Sequence, residues 1–103
     1  MELEKFLEAA NLLAYYKNLL RGKQKEYLLD HLERDLSLSE IAKNHGISRQ
    51  AVSENIRRGI SLLYAWEEKL GFYGKEREIY EDLKDLRKGY SAEKLDKIIG
   101  KLF

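Results

Sequence analysis

Residues 36–59 read LSLSEIAKNHGISRQAVSENIRRG, and the order of caps, apolar positions and a glycine in this stretch decides the fold. Ser37 stands where a helix N-cap belongs, and Glu40, three residues on, can return a hydrogen bond to the Ser37 amide in a capping box. Leu36 and Ile41 are spaced as a hydrophobic staple across that cap. The short helix reaches about Asn44, where Asn44-His45-Gly46 tolerates the left-handed backbone needed to stop it. Ile47 then plugs the core, Ser48 caps the next helix, and Ile47 with Val52 repeats the staple. Ile41, Ala42, Ile47, Val52 and Ile56 fall where the two helices meet, and the small Ala42 permits the close, steep approach of a helix-turn-helix.

The outward face of the second helix carries Ser48, Arg49, Gln50, Ser53, Glu54 and Arg57, with Arg58 beside them. These side chains suit a nucleic-acid groove. Arg pairs bidentately with guanine and Gln with adenine, Ser contacts base or phosphate, and Glu54 accepts from cytosine or orients an arginine. A polar face is also what any surface helix shows, and the motif serves as a protein-docking module elsewhere. Nucleic acid and a protein partner therefore both stand as readings.

Upstream, Leu3, Phe6, Leu7, Ala10, Leu13 and Leu20 mark one stripe of a helix over about 2–21, and Leu12, Tyr15, Tyr16 and Leu19 widen it beyond one face. Such a helix is expected to be buried on more than one side. Gly22 ends it, and a second helix over about 23–34 turns Tyr27, Leu28 and Leu32 inward. Downstream, nothing breaks the recognition helix until Gly71, so it runs to Leu70 and is about 22 residues and 33 Å long. Val52, Ile56, Gly59, Leu63, Trp66 and Leu70 recur at alternating spacings of four and three. Gly59 allows close approach of a neighbour, and Ile60, Leu62, Tyr64 and Ala65 spread apolar surface around the other sides.

After Gly71-Phe72-Tyr73-Gly74, a fifth helix shows Ile79, Tyr80, Leu83 and Leu86, and Lys88-Gly89 closes it. Ser91 caps a last helix with a stripe of Leu95, Ile98, Ile99 and Leu102, and Tyr90 is placed to staple onto Leu95. The pattern predicts an all-α protein in two parts. Residues 1–72 form the helix-turn-helix domain with its N-terminal helix, and 73–103 form a helical hairpin packed on the same core, its charged outer faces laced by i to i+4 pairs.

Composition narrows the function classes. A chain of 103 residues without proline, and without strand-like alternation, suits one small helical fold that buries about 60 to 65 percent of its unfolded surface. Cysteine is absent, which removes disulfides and thiolate metal sites. His31 and His45 are too far apart to form a recognisable ligand pair, and no phosphate loop, nucleophile elbow or zinc motif occurs. No enzyme, metal or cofactor is expected. Apolar runs are too short to span a bilayer and the acidic start is unlike a leader, so the expectation is a cytoplasmic protein without membrane insertion.

Net charge is only +1, low for an electrostatic nucleic-acid binder. Over 37–59 four basic residues face two acidic ones, and a dimer presenting two such faces would neutralise roughly four to eight phosphates. Lys23-Gln24-Lys25 can also touch phosphate, though a solvated first helical turn explains them equally well.

Over GKQKEYLLDHLERDLSLSEIAKNHGISRQAVSENIRRGISLLYAWEEKLGFY, residues 22–73, the chain resembles two families. Broadly it is similar to region 4 of sigma factors, in which a helix pair packs on the motif and the recognition helix contacts promoter DNA. More closely, over about 6–103, it resembles the YlxM-like family of small bacterial helix-turn-helix proteins. Lys23-Gln24, Asp35-Leu36-Ser37-Leu38, Glu40-Ile41-Ala42, Gly46 to Val52, Asn55 to Arg58 and Glu68-Lys69-Leu70 carry the likeness. His31-Leu32 stand where that family usually has an aromatic pair, and Gly22 where it has Thr or Ser. Both departures touch packing or helix initiation, not the outward face. The resemblance implies a regulatory DNA-binding protein, and the sigma-like recognition positions map onto Arg49, Gln50, Ser53, Glu54 and Arg57. Because family genes lie beside those of signal recognition particle GTPases, it also implies a link to that pathway by association alone. The combined expectation is a homodimer that binds nucleic acid, DNA before RNA, with a signal recognition particle component as a further partner. The alternative is an adaptor that docks a targeting GTPase or another protein.

Overall fold

The computed structural model describes residues 1–102, so the final residue of the predicted hairpin and of the family resemblance lies outside the described part. Among the described residues every regular element is helical: α1 Leu3–Tyr16, α2 Gly22–Leu28, α3 Leu38–His45, α4 Arg49–Leu70, α5 Phe72–Lys88 and α6 Ala92–Leu102. The predicted all-α class is correct. The helices fall into two compact units, one ending at Leu70 and one beginning at Gly71.

In the first unit, α4 packs against α1, α2 and α3. Its seam is Val52, Ile56, Gly59 and Leu63, all buried, and the far end at Leu70 is exposed. The close approach expected at Gly59 is present. A Cβ built there would stand 2.3 Å from Leu28 Cδ1 and 3.3 Å from Gln24 Cγ, and the first of these distances requires a glycine unless the fully buried Leu28 shifts at the α2–α4 crossing. Gln24 Nε2 donates to the Asn55 carbonyl at 3.4 Å across the same crossing.

Two helix boundaries differ from the sequence expectation. The first helix stops at Tyr16, tightens into a 3-10 turn over Lys17–Leu19 and straightens at Leu20 and Arg21. The chain must reverse into α2 with Gly22 at φ +60°, and it unwinds before that point so that Leu20 can turn into the core. The buried face of α1 is Ala9, Leu12, Leu13 and Tyr16, while Leu3 is 71% exposed and Leu7 is also in solvent. The α-helix of α2 is likewise shorter than expected. After Leu28 it widens into a π turn over Leu29–Glu33, closed by the Arg34 amide donating to the Leu29 carbonyl at 3.0 Å. Tyr27, Leu28 and Leu32 do point inward as read from the sequence.

In the second unit, α5 and α6 pack as a hairpin. Ser91 caps α6 by accepting from the Lys94 amide at 3.1 Å. Tyr90 is 73% exposed, so it stands in solvent instead of folding over Leu95. The charged faces pair mainly across the hairpin: Lys101 reaches Asp82 at 2.5 Å and Glu78 at 2.9 Å, and Lys94 reaches Asp85 at 3.2 Å. Ile98 is the one buried side chain among the described residues of the hairpin.

Candidate nucleic-acid interface

The turn that aims α4 is built from local bonds. Ser37 Oγ accepts from the Glu40 amide at 3.1 Å while the Ser37 amide donates to Glu40 Oε1 at 3.0 Å, completing the capping box. These bonds hold the Glu40 carboxyl below its ordinary range. Gly46 ends α3 at φ +66°, ψ +34°, and Ser48 Oγ accepts from the Ala51 amide at 3.0 Å to begin α4. Ile41, Ala42, Val52 and Ile56 are buried between the helices, and Ile47 is half-buried.

A polar cluster that the sequence reading missed ties the turn to α2. Asp30, only 6% exposed, accepts from Arg34 Nη1 at 2.6 Å and from His45 Nε2 at 3.1 Å. The His45 ring packs edge-on against Tyr27 with centroids 4.9 Å apart. Burial pushes the Asp30 carboxyl up, but the hydrogen bonds and charges of Arg34 and His45 outweigh it and leave the group below its usual range. His31 Nδ1 donates to the Leu36 carbonyl at 2.8 Å and its ring meets Phe6 edge-on. Asp35 between them adopts φ +59°, a left-handed conformation that Asp accepts more readily than most residues. Neither histidine is near a ligand set, and among the described residues no group of three metal-ligating side chains gathers.

With α4 so fixed, Ser48, Arg49 and Gln50 are exposed at its start, Ser53 and Glu54 are half-exposed one turn on, and Arg57 and Arg58 are exposed beyond them. All seven residues read from the sequence are thus exposed or half-exposed within the cap and first three turns of α4. Their charges are not equally available. Glu54 holds Arg57 at 2.8 Å and Arg58 at 3.8 Å, so among the described residues Arg49 alone of the three arginines lacks a carboxylate partner. Ser48 Oγ gives one of its two acceptor positions to the cap. Asn55 donates back to the Ala51 carbonyl at 2.9 Å and does not reach outward. Ser53 and Arg57 also border an open recess of about 320 Å³ with Leu38, Ile56, Ile60 and His31.

Comparison with known proteins places this geometry. A family model described as "Putative helix-turn-helix protein, YlxM / p13 like" matches residues 3–99. A UPF0122 protein of Fusobacterium nucleatum is 55% identical over 102 residues, 99% of each chain. A UPF0122 protein of Geobacillus kaustophilus is 42% identical, covering 88% of this chain and 86% of its own. The UPF0122 protein YlxM of Bacillus subtilis is 40% identical, covering 90% and 87%. The family is described by its motif and not by an enzymatic activity, and no helix among the described residues is long and apolar enough to cross a membrane. Motif geometry and near full-length similarity agree: the chain belongs to the YlxM/p13-like family of helix-turn-helix proteins.

Proposed function

We propose that the chain is a non-enzymatic, cytoplasmic regulatory protein that binds nucleic acid, duplex DNA in preference to RNA, as a homodimer. The observation that carries this reading is the row of exposed Arg49, Gln50 and Arg57 and half-exposed Ser53 on a helix whose start is fixed by the Ser48 cap and the Gly46 turn. Arg49 and Gln50 stand at the helix N-terminus, the end that recognition helices direct at base edges. A fluorescence-anisotropy titration against genomic DNA fragments and against signal recognition particle RNA, at two salt concentrations, tests it. The expected result is tighter, salt-dependent binding to duplex, weakened by Arg49→Ala with Arg57→Ala. Affinity unchanged by that pair of substitutions would remove the assigned face.

A link to the signal recognition particle pathway is part of this reading through the family's gene neighbourhood, and the RNA arm of the titration probes it. A second reading, a protein-docking adaptor, draws support from the low net charge and from Leu3, Leu7, Leu62 and Tyr64 exposed on α1 and α4. Recovery of a targeting GTPase in a pull-down treated with nuclease, together with no affinity for either nucleic acid, would favour it.

A further inference from the structure

Glu76, Tyr80, Leu83 and Arg87 follow one another on α5 at spacings of four, three and four. On a helix of 3.6 residues per turn this is one narrow row, the spacing of a coiled-coil seam. All four are exposed, Tyr80 at 54% and Leu83 at 47%. The Lys84 ammonium lies 5.2 Å from the Tyr80 ring centroid and shields one side of it.

The order of the row is acid, apolar, apolar, base, and its midpoint falls between Glu81 and Asp82. A two-fold axis through that midpoint would lay a second α5 antiparallel on the first. Tyr80 would then meet Leu83 of the other copy, Leu83 would meet Tyr80, and each Glu76 would meet an Arg87. An isologous contact needs this property, a single patch complementary to itself under the rotation. The two ion pairs would close the ends of the contact about 16 Å apart along the helix axis. Parallel pairing would instead set Glu76 on Glu76 and Arg87 on Arg87, which like-charge repulsion disfavours.

We propose that α5 is the homodimer interface, two copies pairing antiparallel through Glu76, Tyr80, Leu83 and Arg87. This rests on the homodimer reading for the existence of a dimer, and adds where it forms and in which direction the helices run. Sedimentation equilibrium of the full chain across the micromolar range tests it, with circular dichroism as a check on folding. The wild type is expected to dimerise. Glu76→Arg alone and Arg87→Glu alone should each weaken dimerisation roughly tenfold or more, because every end pair becomes like-charged. An equimolar mixture of the two variants, and the double variant in one chain, should both recover it. A monomeric wild type would overturn the dimer and the interface together. A dimer indifferent to the single variants would overturn the interface alone, as would single variants that weaken without recovery in the mixture and the double variant.

Discussion

Asp30 shows how much one buried carboxylate can hold. It takes hydrogen bonds from Arg34 and from His45, fifteen residues away in sequence, and so fastens the helix-turn-helix turn to the helix before it. Asp30→Ala leaves the half-buried His45 without its acceptor and is expected to cost about 1 to 3 kcal/mol, measurable by urea unfolding. The pH dependence has a definite sign. Because the folded carboxyl is held below its ordinary value, its stabilisation is complete above the unfolded value of about 3.9 and is lost as pH falls through the lower folded value. Acid unfolding monitored by circular dichroism should therefore show a smaller loss over that range in Asp30→Asn than in the wild type. Glu54 is the matching case at the surface. Replacing it with Gln frees Arg57 and Arg58, and the expected outcome is tighter, less selective DNA binding with a log-log salt slope steeper by about one, read from titrations at several salt concentrations. Ser37, Glu40, Gly46 and Ser48 were legible in the sequence because capping acts within four residues. Asp30 was not, since His45, its second partner, lies in the next helix and its charge resembles any other on a polar helix.

At the scale of elements, legibility followed the same division between near and far. The uninterrupted length of α4 could be read because nothing in Arg49–Leu70 breaks a helix. The early end of α1 and the π turn after α2 could not, because Lys17-Asn18-Leu19 and Leu29 to Glu33 are ordinary helical spelling that tertiary packing overrides. The buried face of α1 is also rotated from the stripe that its spacing marks, since Leu3 and Leu7 stand in solvent while Ala9, Leu12, Leu13 and Tyr16 are buried. The α2–α4 crossing gives a direct test. Gly59→Ala would gain about 1 kcal/mol of helix propensity, yet its Cβ would collide with the buried Leu28 side chain. A net loss of about 1 to 2 kcal/mol is expected in thermal or urea unfolding, and Gly59→Ala with Leu28→Ala should lose less than the sum of the two single changes.

For the molecule as a whole, the distribution of buried side chains separates the two units. The first contains every buried apolar residue among those described except Ile98. A fragment of residues 1–70 is expected to unfold cooperatively with a calorimetric enthalpy near the van't Hoff value. It is also expected to sediment as a monomer, because the α5 row lies outside it. If nucleic-acid affinity gains from two linked faces, the fragment should bind more weakly than the full chain at equal concentration. The motif names seven candidate contact residues and the structure leaves them exposed or half-exposed, but their unequal charge was not legible. Which arginines Glu54 neutralises depends on rotamers that spacing alone leaves open.

Gly59 sits ten residues from Arg49 and eleven from Leu70 along α4, so the point of closest approach to Leu28 divides that helix into arms of nearly equal length, about 15 Å each. To the extent that α4 moves as a rigid rod about this fulcrum, a push on its Leu70 end returns at Arg49 with similar amplitude and opposite sense. The glycine that permits tight packing is thereby also the pivot of a balanced lever, through which events at the far end of the helix would be felt at the contact face.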